Sequence, residues 1–528
     1  MNKQLRNFLL ILFSGILISS CGTREKKKSP KEGAVSGYYQ EKYRPQFHFS
    51  PEANWMNDPN GLVYFEGEYH LFYQYYPDST IWGPMHWGHA VSTDLIHWKH
   101  LPIALYPDSL GYIFSGSAVV DATNTSGFGS TKNPPIVAIF TYHNPELEKS
   151  GSNVFQNQGI AFSLDKGRTW TKYSANPVLK NPGIRDFRDP KMFWNEKTKK
   201  WNIIMAVYDR VHIYSSPNIK DWTFESEFGS SIGAHGGVWE CPDLFPLKVE
   251  GTDITKWVML VSINPGGPNS GSATQYFTGE FDGHKFIPDN TKVNWIDWGR
   301  DDYAGVTWSN IPGTDGRRIF IGWMSNWKYA AVVPTTVWRS ATTIPRELSL
   351  IDENGHCLLT SKPVKEFANL MSRSDTLTIK SLRFTGEKEV LSDRIPLMQS
   401  QMLFDFKLSD TRDDSLGIIL ENSLKERLII GYSTIQKLFY IDRRAAGNSG
   451  FSNKFAGIST APYLAGTYLK MNLLVDASSV ELFVDDGRLV MTSLVFPTEK
   501  FTKLKMFSKG ADILLNTAEF HGIEKIWF

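Results

Sequence analysis

From about residue 45 to residue 345, short apolar and aromatic runs alternate with clusters of turn formers, and no stretch keeps a 3.6-residue period for long. That texture predicts strands throughout. A larger pattern lies over it: a turn, an apolar strand, a loop and a second apolar strand. Its copies are NDPNGLVYFEGEYHLFYQYYP from Asn57, FSGSAVVDATNTSGFGSTKNPPIVAIFTYH from Phe114, FRDPKMFWNEKTKKWNIIMAVYD from Phe187, WECPDLFPLKVEGTDITKWVMLVSI from Trp239 and DDYAGVTWSNIPGTDGRRIFIGWMS from Asp301. Most are followed by a strand ending in Ser and a turn ending in an aromatic, as in AVSTDLIHWKHL, AFSLDKGRTWTKY and IYSSPNIKDWTFE. The regular return of both elements fits the blades of a propeller better than an irregular sandwich of hairpins. The prediction is a five-bladed β-propeller over residues 43–361.

Past residue 362 the texture changes. VKEFANLMSRSD reads as the core of a linker over residues 362–380. The segments QMLFDFKLSD, LGIILEN, RLIIGYS, LFYIDRR, LKMNLLVDASSVELFVDDG and RLVMTSLVFP then carry polar turns but no blade repeat, which predicts an antiparallel β-sandwich over residues 381–528 and an all-β chain. The start of the chain is different again. MNKQLRNFLLILFSGILISSC has a basic beginning, an apolar run from Phe8 to Ile18, then Ser19, Ser20 and Cys21, the layout of an export signal over residues 1–21. The Cys in that place resembles a bacterial lipoprotein signal, in which Cys21 becomes the lipidated first residue of the mature chain. The charged stretch after it reads as a flexible tether over residues 22–42, so the expected location is a bacterial cell envelope, on either face of the membrane.

Charge narrows the ligand. Lys plus Arg number 56 and Asp plus Glu 55, a formal net charge of +1, so no global field favours a nucleic acid. The 17 Trp, 21 Tyr and 33 Phe suit both β-blades and a carbohydrate, whose C–H faces stack on rings. Cys241 and Cys357 read as reduced, and no cluster of Cys and His suggests a metal.

The candidate chemistry sits in WMNDPNG, residues 55–61, where Asp58 taken alone is a turn former. Context changes that reading. In three copies of the repeat an acid beside a Pro introduces the first strand: Asn57-Asp58-Pro59, Arg188-Asp189-Pro190 and Glu240-Cys241-Pro242. Pro holds the residue before it extended, and the first strand of each blade lines the central channel. Asp58, Asp189 and Glu240 are therefore expected at matched positions round one pocket, where mutual repulsion raises the pKa of at least one. One ionised and one protonated carboxyl flanking a glycosidic bond make a glycosidase, of the retaining kind if they stand about 5–5.5 Å apart. The other use of clustered acids is a hard cation, for which these turns lack further Asp and Asn ligands.

Taken together, HFSPEANWMNDPNG, WGHAVSTDLIHW, FRDPK and WECPDLF, with IDRR and SSVELFVDDGRLVMTSLVFP in the sandwich, resemble glycoside hydrolase family 32. These are the β-fructofuranosidases that include invertases, inulinases and levanases, and the resemblance covers nearly all of the mature chain. It implies that Asp58 is the nucleophile that attacks the anomeric C2 of a fructofuranosyl unit, that Glu240 is the acid/base, and that Asp189 is the transition-state stabiliser. It further implies a terminal-fructose subsite of Trp55, Asn57, Gln74, Trp82, Phe114, Ser115 and Arg188, with Trp323 as an aromatic wall and Cys241 as a neighbour of Glu240. Asp302-Tyr303 in DDYAG departs from the family's DFYA and leaves the register there open. The implied activity is that of a retaining, exo-acting β-fructofuranosidase on levan, inulin, fructo-oligosaccharides or sucrose, with no metal or organic cofactor. Endo-cleavage and fructosyl transfer are the alternatives within the family. Outside it stands a catalytically silent fructan-binding protein, against which the complete set of three acids speaks.

Overall fold

The computed structural model describes residues 37–390, 395–408 and 415–527; the export signal, Cys21 and the tether as far as residue 36 lie outside them. Five antiparallel sheets follow one another along the chain. Their first strands are Asn54–Phe65, Tyr112–Val120, Phe187–Asn195, Val238–Lys248 and Tyr303–Thr307, and each neighbours the next round a ring that closes from the fifth to the first. This is a five-bladed propeller. Second strands such as Ile136–His143 and Lys200–Val207 are buried almost throughout, because blades cover both their faces, whereas the outermost Thr223–Phe228 is largely exposed.

Large side chains fill the wedges between blades. Phe72, Trp87 and Phe140 pack between the first and second, Ile139, Met192 and Ile203 between the second and third, and Ile204, Trp239 and Met259 between the third and fourth. The last seam is closed differently. Trp338–Arg339 pairs in parallel with Asn54 and Trp55, and Val63 bridges Ser309. Behind that seam Trp55, Trp308 and Trp323 share a core with Leu474, Phe483 and Val490 of the C-terminal domain.

The C-terminal domain is an antiparallel sandwich wrapped over one core that includes Met402, Ile418, Leu473 and Phe520. Its spine is the strand Lys503–Ile523, which pairs with Met371–Val390, Ser400–Lys407 and Ser415–Glu421. Met371–Val390 begins inside the stretch expected to be a linker, so the sandwich starts ten residues ahead of residue 381. Leu377, Ile379, Leu382 and Phe384 alternate along it toward the sandwich core, but the alternation slips at Ser381, where φ is 55°, and Met371 to Asp375 ahead of it carry none to mark the start. Likewise the packed body begins at Tyr39 rather than after residue 42: its ring stacks on Trp527 at 4.0 Å and its hydroxyl meets His100 Nε2 at 2.6 Å.

Buried charge ties propeller to sandwich. Arg346, from the third strand of the fifth blade, donates to Asp297 at 3.0 Å, Asp302 at 3.1 Å and Thr492 at 2.7 Å, and to Glu481 through Nε at 3.0 Å and through Nη2. His48 bridges Asp476 and Glu481, each at 2.7 Å. Burial opposes a charge on His48, yet its bonds to the two acids lift it to about 9. Asp302 is thus part of this interdomain network, which explains the departure at DDYAG: the acid answers Arg346, and Tyr303 keeps its place on the inner strand.

Candidate active site

Each inner strand breaks register with its neighbour near its start, where two residues face one across the ladder. Asn57 and Asp58 lie opposite Gln74, Phe114 and Ser115 opposite Thr141, Asp189 and Pro190 opposite Met205, Cys241 and Pro242 opposite Val261, and Ala304 and Gly305 opposite Gly322. Such bulges re-aim side chains. Here five of them sit at one end of the ring and turn their residues toward the axis.

Two expectations from the sequence need correction here. The residues before Pro190 and Pro242 are not extended: Asp189 and Cys241 have φ of 64° and 45°. The bulge demands this, and it turns their N–H groups onto acceptors, Asp189 N–H to Thr141 Oγ1 at 3.0 Å and Cys241 N–H to Asp189 Oδ2 at 3.1 Å. Nor do the acids occupy matched positions. Glu240 pairs across the ladder just before its bulge, as Arg188 and Tyr303 do, whereas Asp189 is the first bulged residue of its strand and Asp58 the second. The three acids converge from successive positions, and the neighbouring Pro marks the bulge rather than the acid.

They meet in a pocket of about 270 Å³ lined by Asn57, Asp58, Gln74, Trp82, Phe114, Ser115, Arg188, Asp189 and Glu240 among others. Asp58 Oδ1 accepts from Asn57 Nδ2 at 3.0 Å, and Oδ2 accepts from Ser115 Oγ at 2.7 Å and the Cys241 thiol at 3.4 Å. Glu240 Oε1 accepts from Arg188 Nη2 at 3.0 Å, and its Oε2 from the Tyr303 hydroxyl. Arg188 also holds Asp186 at 2.7 Å, whereas Asp189 stands 3.9 Å from it, so the guanidinium pairs first with Glu240 and Asp186. Gln74 Nε2 is buried on the pocket wall with no partner, a donor free for a ligand oxygen. Next to it, sharing Ser115 and Asp189, is a hollow of about 10 Å³ that Asn60, Cys241 and Val306 also line; it is too small for a sugar unit, so on that side the pocket is blind.

Electrostatics follow from that crowding. Burial raises the pKa of Asp58 and the charge of Glu240 raises it further, against the bonds from Ser115, Asn57 and Cys241. Burial also raises Asp189; Arg188 pulls it down, and Glu240 and Asp58 push it up, to about 7. Burial and the same two aspartates keep the Cys241 thiol well above its usual range, so it stays a protonated donor.

Trp55 and Trp323, expected to touch substrate, are both fully buried and lie outside the lining. Trp55 packs on Trp327, with ring centres 5.9 Å apart, and donates to Asn57 Oδ1 at 2.8 Å, which aims the Asn57 amide at Asp58. Trp323 ends a blade strand facing the core, and Trp327 in the loop after it, 4.9 Å away ring to ring, takes the place on the wall. Sequence reasoning also missed His143 and Gln156, at the facing ends of two strands of the second blade, Glu148 on the short helix Pro145–Lys149 between them, and Phe155 and Asp186 in loops; of these only His143 falls in a quoted repeat, as its last residue. Tyr303 lay within the noted DDYAG segment, the one signal that pointed to it. Among the described residues no group of three or more His, Cys, Asp or Glu side chains could hold a metal ion.

Comparison with known proteins agrees along the length of the chain. Residues 48–363 match the profile described as the glycosyl hydrolases family 32 N-terminal domain, and residues 366–523 that of the family's C-terminal region. A levanase of Bacillus subtilis is 48% identical over 504 residues, which cover 94% of this chain and 72% of the relative. An extracellular exo-inulinase of Aspergillus niger is 38% identical over 93% of this chain and 96% of its own length. The crystal structure of the exo-inulinase from Aspergillus awamori superimposes with a TM-score of 0.85 at 36% identity, covering 93% of this chain and all of that one.

Proposed function

The chain belongs to glycosyl hydrolase family 32, and from that premise we propose that it is a retaining, exo-acting β-fructofuranosidase that removes terminal fructosyl units. Its substrates in this reading are levan or inulin, fructo-oligosaccharides and sucrose. In the first step Asp58 forms a bond to the anomeric C2 while Glu240 gives its proton to the departing glycosidic oxygen. In the second, Glu240 takes a proton from water as the water oxygen displaces Asp58 and frees fructose. Asn57 and Ser115 hold the nucleophile, Asp189 accepts from fructose hydroxyls as charge builds on the ring, and the unpartnered Gln74 amide donates to one of them.

The observation that carries this reading is the blind pocket in which Asp58 faces Glu240 closely enough to feel its charge. Its volume is below the roughly 300–1,000 Å³ of pockets for drug-sized ligands, which favours one terminal sugar over a threaded polymer. The levanase and exo-inulinase names of the relatives point the same way for substrate. The amino-terminal signal supports lipidation at Cys21 and attachment to a bacterial cell envelope.

The test is product analysis with the chain lacking residues 1–21, on levan, inulin and sucrose, beside an Asp58→Ala control. Free fructose alone, absent in the control and released initially as the β-anomer by NMR, is the expected result. A ladder of oligosaccharides shows endo-cleavage, lengthened sugars show transfer, and no product at all makes the protein a binder. For the anchor, labelled fatty acid should enter the full-length chain and fail to enter a Cys21→Ser variant.

A further inference from the structure

Glu148 faces the same pocket, and the chemistry above does not use it. It lies on the short helix Pro145–Lys149, whose start is capped by the Asn144 side chain. Its carboxylate meets His143 Nε2 at 3.2 Å and Arg185 Nη2 at 3.4 Å.

The proton placement behind it is fixed by a chain of bonds. Phe187 N–H donates to Gln156 Oε1 at 2.9 Å, which settles which end of that amide is oxygen. Gln156 Nε2 therefore faces His143 Nδ1, at 3.4 Å, as a donor. His143 Nδ1 must accept, its ring proton sits on Nε2, and that N–H points at Glu148. The imidazole is clamped flat on Phe114, with ring centres 4.2 Å apart. Phe187 begins the strand that carries Arg188 and Asp189, so Glu148 is indexed to the strand that supplies the pocket's own groups.

Depth says what it meets. Exposure rises from 5% for the Asp189 side chain through 21% for Glu240 to 39% for Glu148, from floor to rim. If the terminal unit fills a blind pocket, the unit it is cut from lies at the rim. We propose that Glu148 is a specificity residue that holds the leaving sugar by accepting hydrogen bonds from its hydroxyls. The proposal rests on the fructosidase reading above. Each carboxylate oxygen keeps lone pairs beyond those used by His143 and Arg185, and neighbouring hydroxyls on one ring can engage both oxygens. The ligand is a neutral polyhydroxylated unit, and Glu148 acts on linkage and leaving-unit preference rather than on bond cleavage itself.

Glu148→Gln keeps size and one acceptor oxygen and removes the charge; Glu148→Ala removes both. The substrates are levan, inulin, sucrose and methyl β-D-fructofuranoside, whose leaving group has no hydroxyls to hold. Both variants should lose about tenfold in kcat/KM on at least one sugar-leaving substrate and change the ranking among the three, while staying within about twofold on the methyl fructoside. Equal losses on all four substrates would assign Glu148 to the fold or the catalytic groups, and unchanged rates on all four would leave it idle; either overturns the proposal. Failure of the fructosidase reading itself shows separately, as a wild-type protein inert on every substrate.

Discussion

Asp189→Asn should make the protein more stable at alkaline pH while it destroys activity. Asp189 is lifted from 3.8 to about 7, through burial first and then, against the pull of Arg188, through the charges of Glu240 and Asp58. The folded form thus binds this proton more tightly than the unfolded chain does. Well below pH 4 both forms hold the proton and it has no effect on stability. As pH rises from about 4 to 7 the unfolded chain gives the proton up first and stability falls; above 7 the loss is complete. At about 1.36 kcal/mol per pH unit the full cost is about 4 kcal/mol. Asn keeps the size of Asp189 and an acceptor for Cys241 N–H, and it keeps part of the burial cost, so the net gain should be about 1–2 kcal/mol, or about 1–4 °C in Tm. The assay is thermal unfolding of both proteins at pH 8 and pH 4. The variant should melt higher at pH 8, with most of the difference gone at pH 4. A variant that melts lower at pH 8, or higher by the same amount at both pH values, would refute the account of the crowded acids.

The remaining expectations concern single groups. Asp58→Ala should cut fructose release by about ten-thousandfold or more while its circular dichroism stays that of the wild type. Glu240→Gln should be crippled on sugar leaving groups yet keep the first step on an aryl fructoside, which needs no proton; a burst of released aryl alcohol reads this out. Tyr303→Phe removes the hydroxyl that holds Glu240 Oε2 in place, so kcat/KM should fall about tenfold while the melting temperature changes little. Arg346→Met leaves Glu481, Asp297 and Asp302 facing one another in the interior, which should cost about 3–5 kcal/mol and lower the denaturant midpoint.

The blades are legible in the sequence because each must bury two strands on both faces, and that need writes the same apolar runs five times. The acids are legible because Pro after Asp58, after Asp189 and after Cys241 marks a local irregularity. Their stagger is not, since a bulge is a matter of pairing with the next strand, and no single segment records its register. The Trp residues mislead for a related reason: Trp55, Trp323 and Trp327 have the same chemistry, and only their place relative to the seam between the fifth and first blades decides which one faces the pocket. Glu148 and its bonded chain through Gln156 are illegible because their partners come from three separate segments of the second and third blades.

The closing of the ring has a consequence in time. The pocket draws on residues from Asn57 to Trp327, the seam behind it is held by Trp338 and Arg339, and the charge of Arg346 is answered by Glu481, which a ribosome adds 135 residues later. No beginning of the chain that stops before Glu481 contains a working pocket, because each such length lacks an acid, the last blade or the counter-charge that seats it. Hydrolysis therefore waits until the chain reaches Glu481, and a growing length that stops before that residue would carry no activity against the sugars around it.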